Sequence, residues 1–165
     1  LTIDSSNVSG SGYTSIDALH GSDDKMHLYI SYYDSETGNL EFIHYYDEAL
    51  FSSETSTINS GGHHFKYGSL MALGDGNSDT QVFVSYYDED DGNLLFSRSD
   101  NNGVAWSGGN GITTTVDNSP NFVGLYTDIE VVQDDQEQTT VYIIYHDATD
   151  GDLKFARSDT GGDDG

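Results

Sequence analysis

The chain has 165 residues, enough for one domain with a buried core. Its 29 acidic residues face only five basic ones, and the resulting formal charge of −24 repels DNA, RNA and anionic lipid as partners. Cysteine is absent, which excludes disulfides and thiol chemistry, and no apolar run approaches the ~18 residues of a membrane-inserted span.

Nineteen Gly, one Pro, twelve Tyr and seven Phe point to a turn-rich chain of short strands. The first element is "LTIDS" (1–5), with Leu1 and Ile3 on one face and Thr2 and Asp4 on the other, the alternation of a half-buried strand. Tyr13 opens the next strand, "YTSIDAL" (13–19). "MHLYISYY" (26–33) follows, apolar or aromatic on both faces, which predicts a strand covered on both sides. "DSETG" turns the chain at Asp34, "NLEFIHYY" (39–46) is the third strand and "TSTIN" (55–59) the fourth.

The same order then recurs. Tyr67 stands where Tyr13 did, and "VFVSYYDEDDGNLLF" (82–96) restates "LYISYYDSETGNLEF" (28–42). Tyr126 and "VYIIYHDATDGDLKF" (141–155) give the third copy. Anchored on Asp34, Asp88 and Asp147, the copies align Gly38, Gly92 and Gly151, then Leu40, Leu94 and Leu153, then Phe42, Phe96 and Phe155. Leu40, Leu94 and Leu153 are expected to be buried in equivalent places. The repeat predicts an all-β fold of three four-stranded antiparallel propeller blades, in units of about 1–53, 54–107 and 108–165.

Each anchor Asp has two readings. Its carboxylate can hold backbone N–H groups of the turn, with Gly supplying a positive φ. Alternatively, Asp34, Asp88 and Asp147 bind calcium with carboxylates such as Glu89, Asp90 and Asp91, although the spacing matches no EF-hand loop.

After the third strand of the second unit the chain reads "SDNNGVAW", Ser99 to Trp106. This resembles the Asp-box (BNR) repeat of sialidase-like propellers, S-x-D-x-G-x-x-W, with Asn101 in place of the Asp. "SDTGGDDG" from Ser158 keeps the Ser and Gly162, and "YYDEALFS" from Tyr45 keeps only Asp47. The resemblance implies a propeller in which the box is a folding element with a packed Trp. It also raises a sialidase-like glycoside hydrolase as one alternative. Sialidases hold their substrate carboxylate with three arginines, whereas this chain has only Arg98 and Arg157, at equivalent positions beside Asp100 and Asp159. Structural ion pairs are the expectation there.

The functional expectation is therefore a non-catalytic, extracellular or cell-surface protein, since the chain has neither an initiator Met nor a signal peptide and reads as mature or trimmed. Its first expected partner is a copy of itself. "LTIDS" resembles the fourth strands "STINS" (56–60) and "TTVDNS" (114–119), and "DLKFARS" (152–158) has no outer strand after it. Residues Leu1, Thr2, Ile3 and Asp4 are expected to pair with the Leu153 and Phe155 strand of a neighbour, head to tail, as a six-bladed dimeric ring or a filament. The alternative is a lectin-like propeller that binds glycans through Tyr13, Tyr67 and Tyr126, if these are not simply packing residues.

Overall fold

The computed structural model describes residues 13–46, 53–120 and 122–163. Sheet 1 comprises β1 (Thr14–His20), β2 (Met26–Asp34), β3 (Asn39–Tyr46) and β4 (Ser53–Asn59). Sheet 2 comprises β5 (Phe65–Leu73), β6 (Gln81–Asp88), β7 (Asn93–Ser99) and β8 (Gly111–Asp117). Sheet 3 comprises β9 (Val123–Gln133), β10 (Thr139–Asp147) and β11 (Asp152–Ser158). Strands pair antiparallel in chain order within each sheet. No α-helix occurs among the described residues; Gly108–Asn110 forms one 3-10 turn.

The repeated turn has the same anatomy three times. The main-chain oxygens of Asp34, Asp88 and Asp147 accept the amides of Gly38, Gly92 and Gly151 at 2.8, 2.8 and 2.9 Å. Their carboxylates accept the amides of Glu36, Asp90 and Thr149 at 2.9, 3.0 and 3.0 Å. The three glycines sit at φ of 73, 74 and 76°, a conformation that costs a residue with a Cβ. The carboxylates thus do the work of Asx turns and start the third strand in register.

Consecutive sheets pack face to face through two like joints. At the inner strands, Ser15 Oγ and Asp17 Oδ2 on β1 accept the amides of Leu70 and Ala72 on β5, at 3.0 and 2.8 Å. One joint further, Ser69 Oγ and Met71 Sδ on β5 accept the amides of Ile129 and Val131 on β9, at 3.2 and 3.0 Å. Behind these lie two apolar clusters. Tyr29, Phe42, Leu70, Val84 and Trp106 belong to the first, and Phe83, Leu94, Phe96, Ile129 and Ile143 to the second. β6 lies between two sheets and is buried at all but its first residue, whereas β10 alternates because only one of its faces is covered.

Each joint is closed by the loop after the third strand. In Ser99–Trp106, Ser99 Oγ accepts the amide of Gly103 at 3.0 Å and Asn101 Oδ1 that of Ala105 at 2.9 Å. Trp106 meets the Phe42 ring edge-on at 5.2 Å, and its Nε1–H donates to Ser56 Oγ at 2.8 Å. Gly103 lies against the Phe42 ring, and in the second joint Gly162 lies against the Phe96 ring. Gly162 N donates to Ser158 Oγ at 2.8 Å, as Gly103 N does to Ser99.

Sheet 3 departs from expectation. It has three strands among the described residues, not four, so β11 is an edge. Leu40 and Leu94 are buried at 3% and 0%, but Leu153 is 78% exposed and Phe155 59%. The expectation of an equivalent buried Leu153 is corrected. Burial at that position comes from the sheet that follows, and no described sheet follows β11. The proposed donor strand Leu1, Thr2, Ile3 and Asp4 lies outside the described residues.

Candidate functional site

Tyr13, Tyr67 and Tyr126, 54 and 59 positions apart like the Asp anchors, come together at one end of the three inner strands. Ring centroids are 4.6 Å apart for Tyr13 and Tyr67, and 4.4 Å for Tyr67 and Tyr126. Two β-bulges produce this convergence. The register of β5 against β6 slips between Lys66 and Ser69, and that of β9 against β10 slips around Leu125 to Asp128. Within these slips Tyr67 and Tyr126 have φ of 55 and 53°, a left-handed conformation uncommon outside glycine. A bulge re-aims a side chain, and a repeated strained backbone held by its surroundings is a mark of functional positions.

Tyr126 is 66% exposed, and Tyr13 and Tyr67 are partly exposed. Hydrogen bonds with the Tyr13 and Tyr126 hydroxyls, together with burial, push the Tyr67 phenol well above its usual range. It remains a neutral hydroxyl able both to donate and to accept. A second ring column flanks the first: Tyr87 lies 6.3 Å from Tyr67, and His146 lies 6.4 Å from Tyr126.

Main-chain bonds hold the loops entering the inner strands beside the Asp-anchored turns. Glu89 N donates to His64 O at 3.0 Å, and Ala148 N to Phe122 O at 2.9 Å. The resulting rim is polar. Lys66 pairs with Glu89, and His64 Nδ1 lies 3.1 Å from Asp90 Oδ2. His63 Nδ1 lies 2.8 Å from Asp88 Oδ2, and this contact raises His63 above the ordinary imidazole range. The amide and ring of His64 lower the Asp90 carboxyl.

Metal ligation was the second reading of the anchors. Among the described residues, the group of three close metal-capable side chains is His63, Asp88 and Asp91. It offers one ring nitrogen and two carboxylates, and calcium takes six to eight oxygens, so the donor set fits calcium poorly. Asp34 and Asp147 stand in separate turns. Asp34 accepts the Thr37 hydroxyl at 2.8 Å, and Asp147 pairs with Lys154 at 3.0 Å. The two arginines form ion pairs. Arg98 Nε lies 2.8 Å from Asp100, and Arg157 Nη2 lies 2.6 Å from Asp159.

Sequence reasoning did not single out the Tyr33, Tyr87 and His146 column, although "SYYD", "SYYD" and "IYHD" display it. It also missed a chain of polar groups across the first joint, buried except at its Asp23 end. Tyr29 OH donates to Asn102 Oδ1 at 3.0 Å, and Asn102 Nδ2 lies 3.1 Å from His44 Nδ1. His44 Nε2 lies 2.9 Å from His27 Nδ1, and His27 Nε2 lies 3.1 Å from Asp23. Only the fold brings these five residues together.

No protein-family model and no curated protein matches the chain. Solved structures do. A fucose lectin from Kordia zhangzhouensis, in complex with methyl-fucoside, superposes with a TM-score of 0.61 at 12% identity, over 88% of this chain and 92% of that one. An endo-arabinase from Bacteroides thetaiotaomicron VPI-5482 gives a TM-score of 0.48 at 14% identity, over 91% of this chain and 56% of that one. At these identities the likeness to the lectin is one of fold: three antiparallel sheets in a propeller-like arrangement.

Proposed function

We propose that this domain is a non-catalytic glycan-binding module and that Tyr13, Tyr67 and Tyr126 form its contact surface. The observation that carries the reading is the convergence of the three rings, two of them on left-handed backbone. Aromatic faces stack on the C–H faces of sugars, and the hydroxyls and carboxylates of the rim suit sugar hydroxyls. The lectin that shares the fold was solved with methyl-fucoside, which supports the same reading. The tyrosine hydroxyls bond to one another and the rim acids pair with His63, His64 and Lys66, an arrangement that supports binding. The arginines are engaged by Asp100 and Asp159 and do not converge on a carboxylate site. The domain belongs outside the cell or at its surface, and its loop Ser99–Trp106, closed by Ser99 and Asn101 around a packed Trp, supports placing it with the Asp-box propellers.

A glycan array spanning fucosylated, neutral and acidic glycans tests the proposal. Binding is expected, with a loss of about tenfold or more, or about 1.4 kcal/mol, in Tyr126→Ala. An array with no signal above background sinks it, as does an unaltered hit in Tyr67→Ala and Tyr126→Ala. No turnover of a sialoside reporter is expected.

Self-association is a second reading, favoured by the place of β11 at the edge of its sheet among the described residues. In sheets 1 and 2 the outer strand immediately precedes the inner strand of the next sheet, β4 before β5 and β8 before β9. By that order the sequence "LTIDS", ahead of β1, is our candidate for strand addition to a neighbour's β11. Deleting residues 1–5 is expected to lower the mass seen by light scattering; unchanged mass refutes strand addition.

A further inference from the structure

We propose that the second joint holds a binding site for a small planar N–H heteroaromatic of the indole class, built from the same columns that enclose the Trp106 ring in the first joint. It lies between sheets 2 and 3. None of the three clustered tyrosines lines it, so it stands apart from glycan binding.

The first joint shows what these columns do. Phe42 stands opposite Ser56 across β3 and β4, and the Trp106 indole meets both. It meets the Phe42 ring edge-on at 5.2 Å and donates from Nε1–H to Ser56 Oγ at 2.8 Å. Ile58, Val82 and Val84 are buried at 4, 0 and 0% in the apolar cluster that contains Trp106. Gly103 lies against the Phe42 ring, where a side chain would collide with it.

The second joint repeats each of these columns. Phe96 stands opposite Thr114 across β7 and β8, as Phe42 does opposite Ser56. Val116 follows Thr114 by two residues, as Ile58 follows Ser56. Val141 and Ile143 stand 59 positions after Val82 and Val84, the spacing of the second and third copies. Gly162, 59 after Gly103, lies against the Phe96 ring. Where the loop from Ser99 has Trp106 as its eighth residue, the loop from Ser158 has Gly165. These six wall residues, Phe96, Thr114, Val116, Val141, Ile143 and Gly162, enclose a cavity of about 300 Å3. Val116 is only partly buried there, although its counterpart Ile58 is almost wholly covered.

The walls set the class of ligand. They are mostly aliphatic, with one ring, Phe96, placed to receive another aromatic edge-on. Apolar cavities of this kind take up apolar molecules in preference to water. The volume is at the low end of the roughly 300–1,000 Å3 of small-molecule pockets, which suits a fused two-ring molecule and not a polymer. Thr114 brings a hydroxyl to the column in which Ser56 receives the indole N–H, so a ring N–H is the polar group the site can recognise.

The test uses the full chain with indole as the probe. Titration followed by 15N–1H correlation spectra is expected to give saturable shifts at the amides of Val116, Ile143 and Gly162, with those of Tyr67 and Tyr126 unmoved. Benzofuran has the same two rings with oxygen in place of N–H. It is expected to bind about threefold to tenfold more weakly, the worth of one neutral hydrogen bond. Thr114→Val is expected to weaken indole by a like factor and to leave benzofuran unchanged. Ala156 also lines the cavity, and Ala156→Leu is expected to abolish binding by filling it. Val116→Phe takes its place if Ala156→Leu loses the native spectrum. The proposal is overturned by the absence of saturable shifts up to the solubility of indole, or by shifts confined to other parts of the chain. Equal affinity for indole and benzofuran, or unaltered indole binding in Thr114→Val or in the filled variant, overturns it as well.

Discussion

Gly103 and Gly151 both have left-handed backbone, at φ of 81 and 76°, but their surroundings differ. A Cβ on Gly103 would strike the Phe42 ring, whereas one on Gly151 would meet nothing within 4 Å. Gly151→Ala is therefore expected to cost about 1–2 kcal/mol of backbone strain alone. Gly103→Ala adds overpacking of about 1–3 kcal/mol. Urea denaturation of the two variants measures the difference, and equal losses would contradict the packing described for the first joint. His44 offers a second test. Burial and the neighbouring His27 lower it from the usual 6.5 to about 4. Its unfolded form therefore takes a proton that the folded form refuses, and stability is lost as pH falls from about 6.5 to 4. The full loss is on the order of 3 kcal/mol, and below that window no more is lost through this group. His44→Gln is expected to flatten this part of the stability–pH curve relative to the native chain. An identical slope in the two proteins would show that His44 does not carry it.

At the scale of elements, the loop Ser99–Trp106 ties β7 and β8 to the preceding sheet through one indole. Trp106→Phe keeps an aromatic ring against Phe42 but leaves Ser56 without its donor, at an expected cost of about 1 kcal/mol. Ser56→Ala also loses the bond that its Oγ donates to the Gly103 carbonyl and should cost more, and the double variant little more than Ser56→Ala alone, because the two share the Trp106 bond. Denaturant midpoints of the three variants check this. The strands themselves were legible: 26–33 and 39–46 were predicted and are observed as Met26–Asp34 and Asn39–Tyr46. The two-sided apolar pattern of 26–33 predicted cover on both faces, and Tyr29 and Ile30, which alternate along β2, are both buried. The Asp–Gly turns were legible too, since an acceptor side chain and a residue tolerant of positive φ define them. Leu153 was misjudged because sequence identity within a repeat transfers conformation but not neighbours. The bulges at Tyr67 and Tyr126 left no mark, as Tyr-Gly and Tyr-Thr do not specify a left-handed residue. The line from Asp23 to Tyr29 through His27, His44 and Asn102 was hidden for another reason. Its last bond spans 73 positions, and only the packed joint makes it short.

Across the whole molecule, protection is graded. β6 and β7 have a sheet on each face and a strand on each edge, while β11, among the described residues, has a strand on one edge and a sheet on one face. Amide exchange is expected to be slowest in β6 and β7 and fastest in β11, with the native chain kept dilute so that copies do not cover one another. Uniform exchange across the sheets would contradict the account of the joints. Charge adds a second prediction at this scale. Copies carrying −24 repel at long range, so added salt should strengthen self-association by screening and not weaken it.

The loop that closes each joint lies after the third strand of the later sheet, which sets an order of events during synthesis. Sheet 1 can pair its own strands once β4 has left the ribosome, yet its Phe42 and His44 stay uncovered until Gly103, Asn102 and Trp106 emerge. Phe96 and Arg98 must likewise wait for Gly161 and Gly162. The nascent chain thus always trails one half-finished surface at its growing end, and each new sheet buries the surface of the one before it.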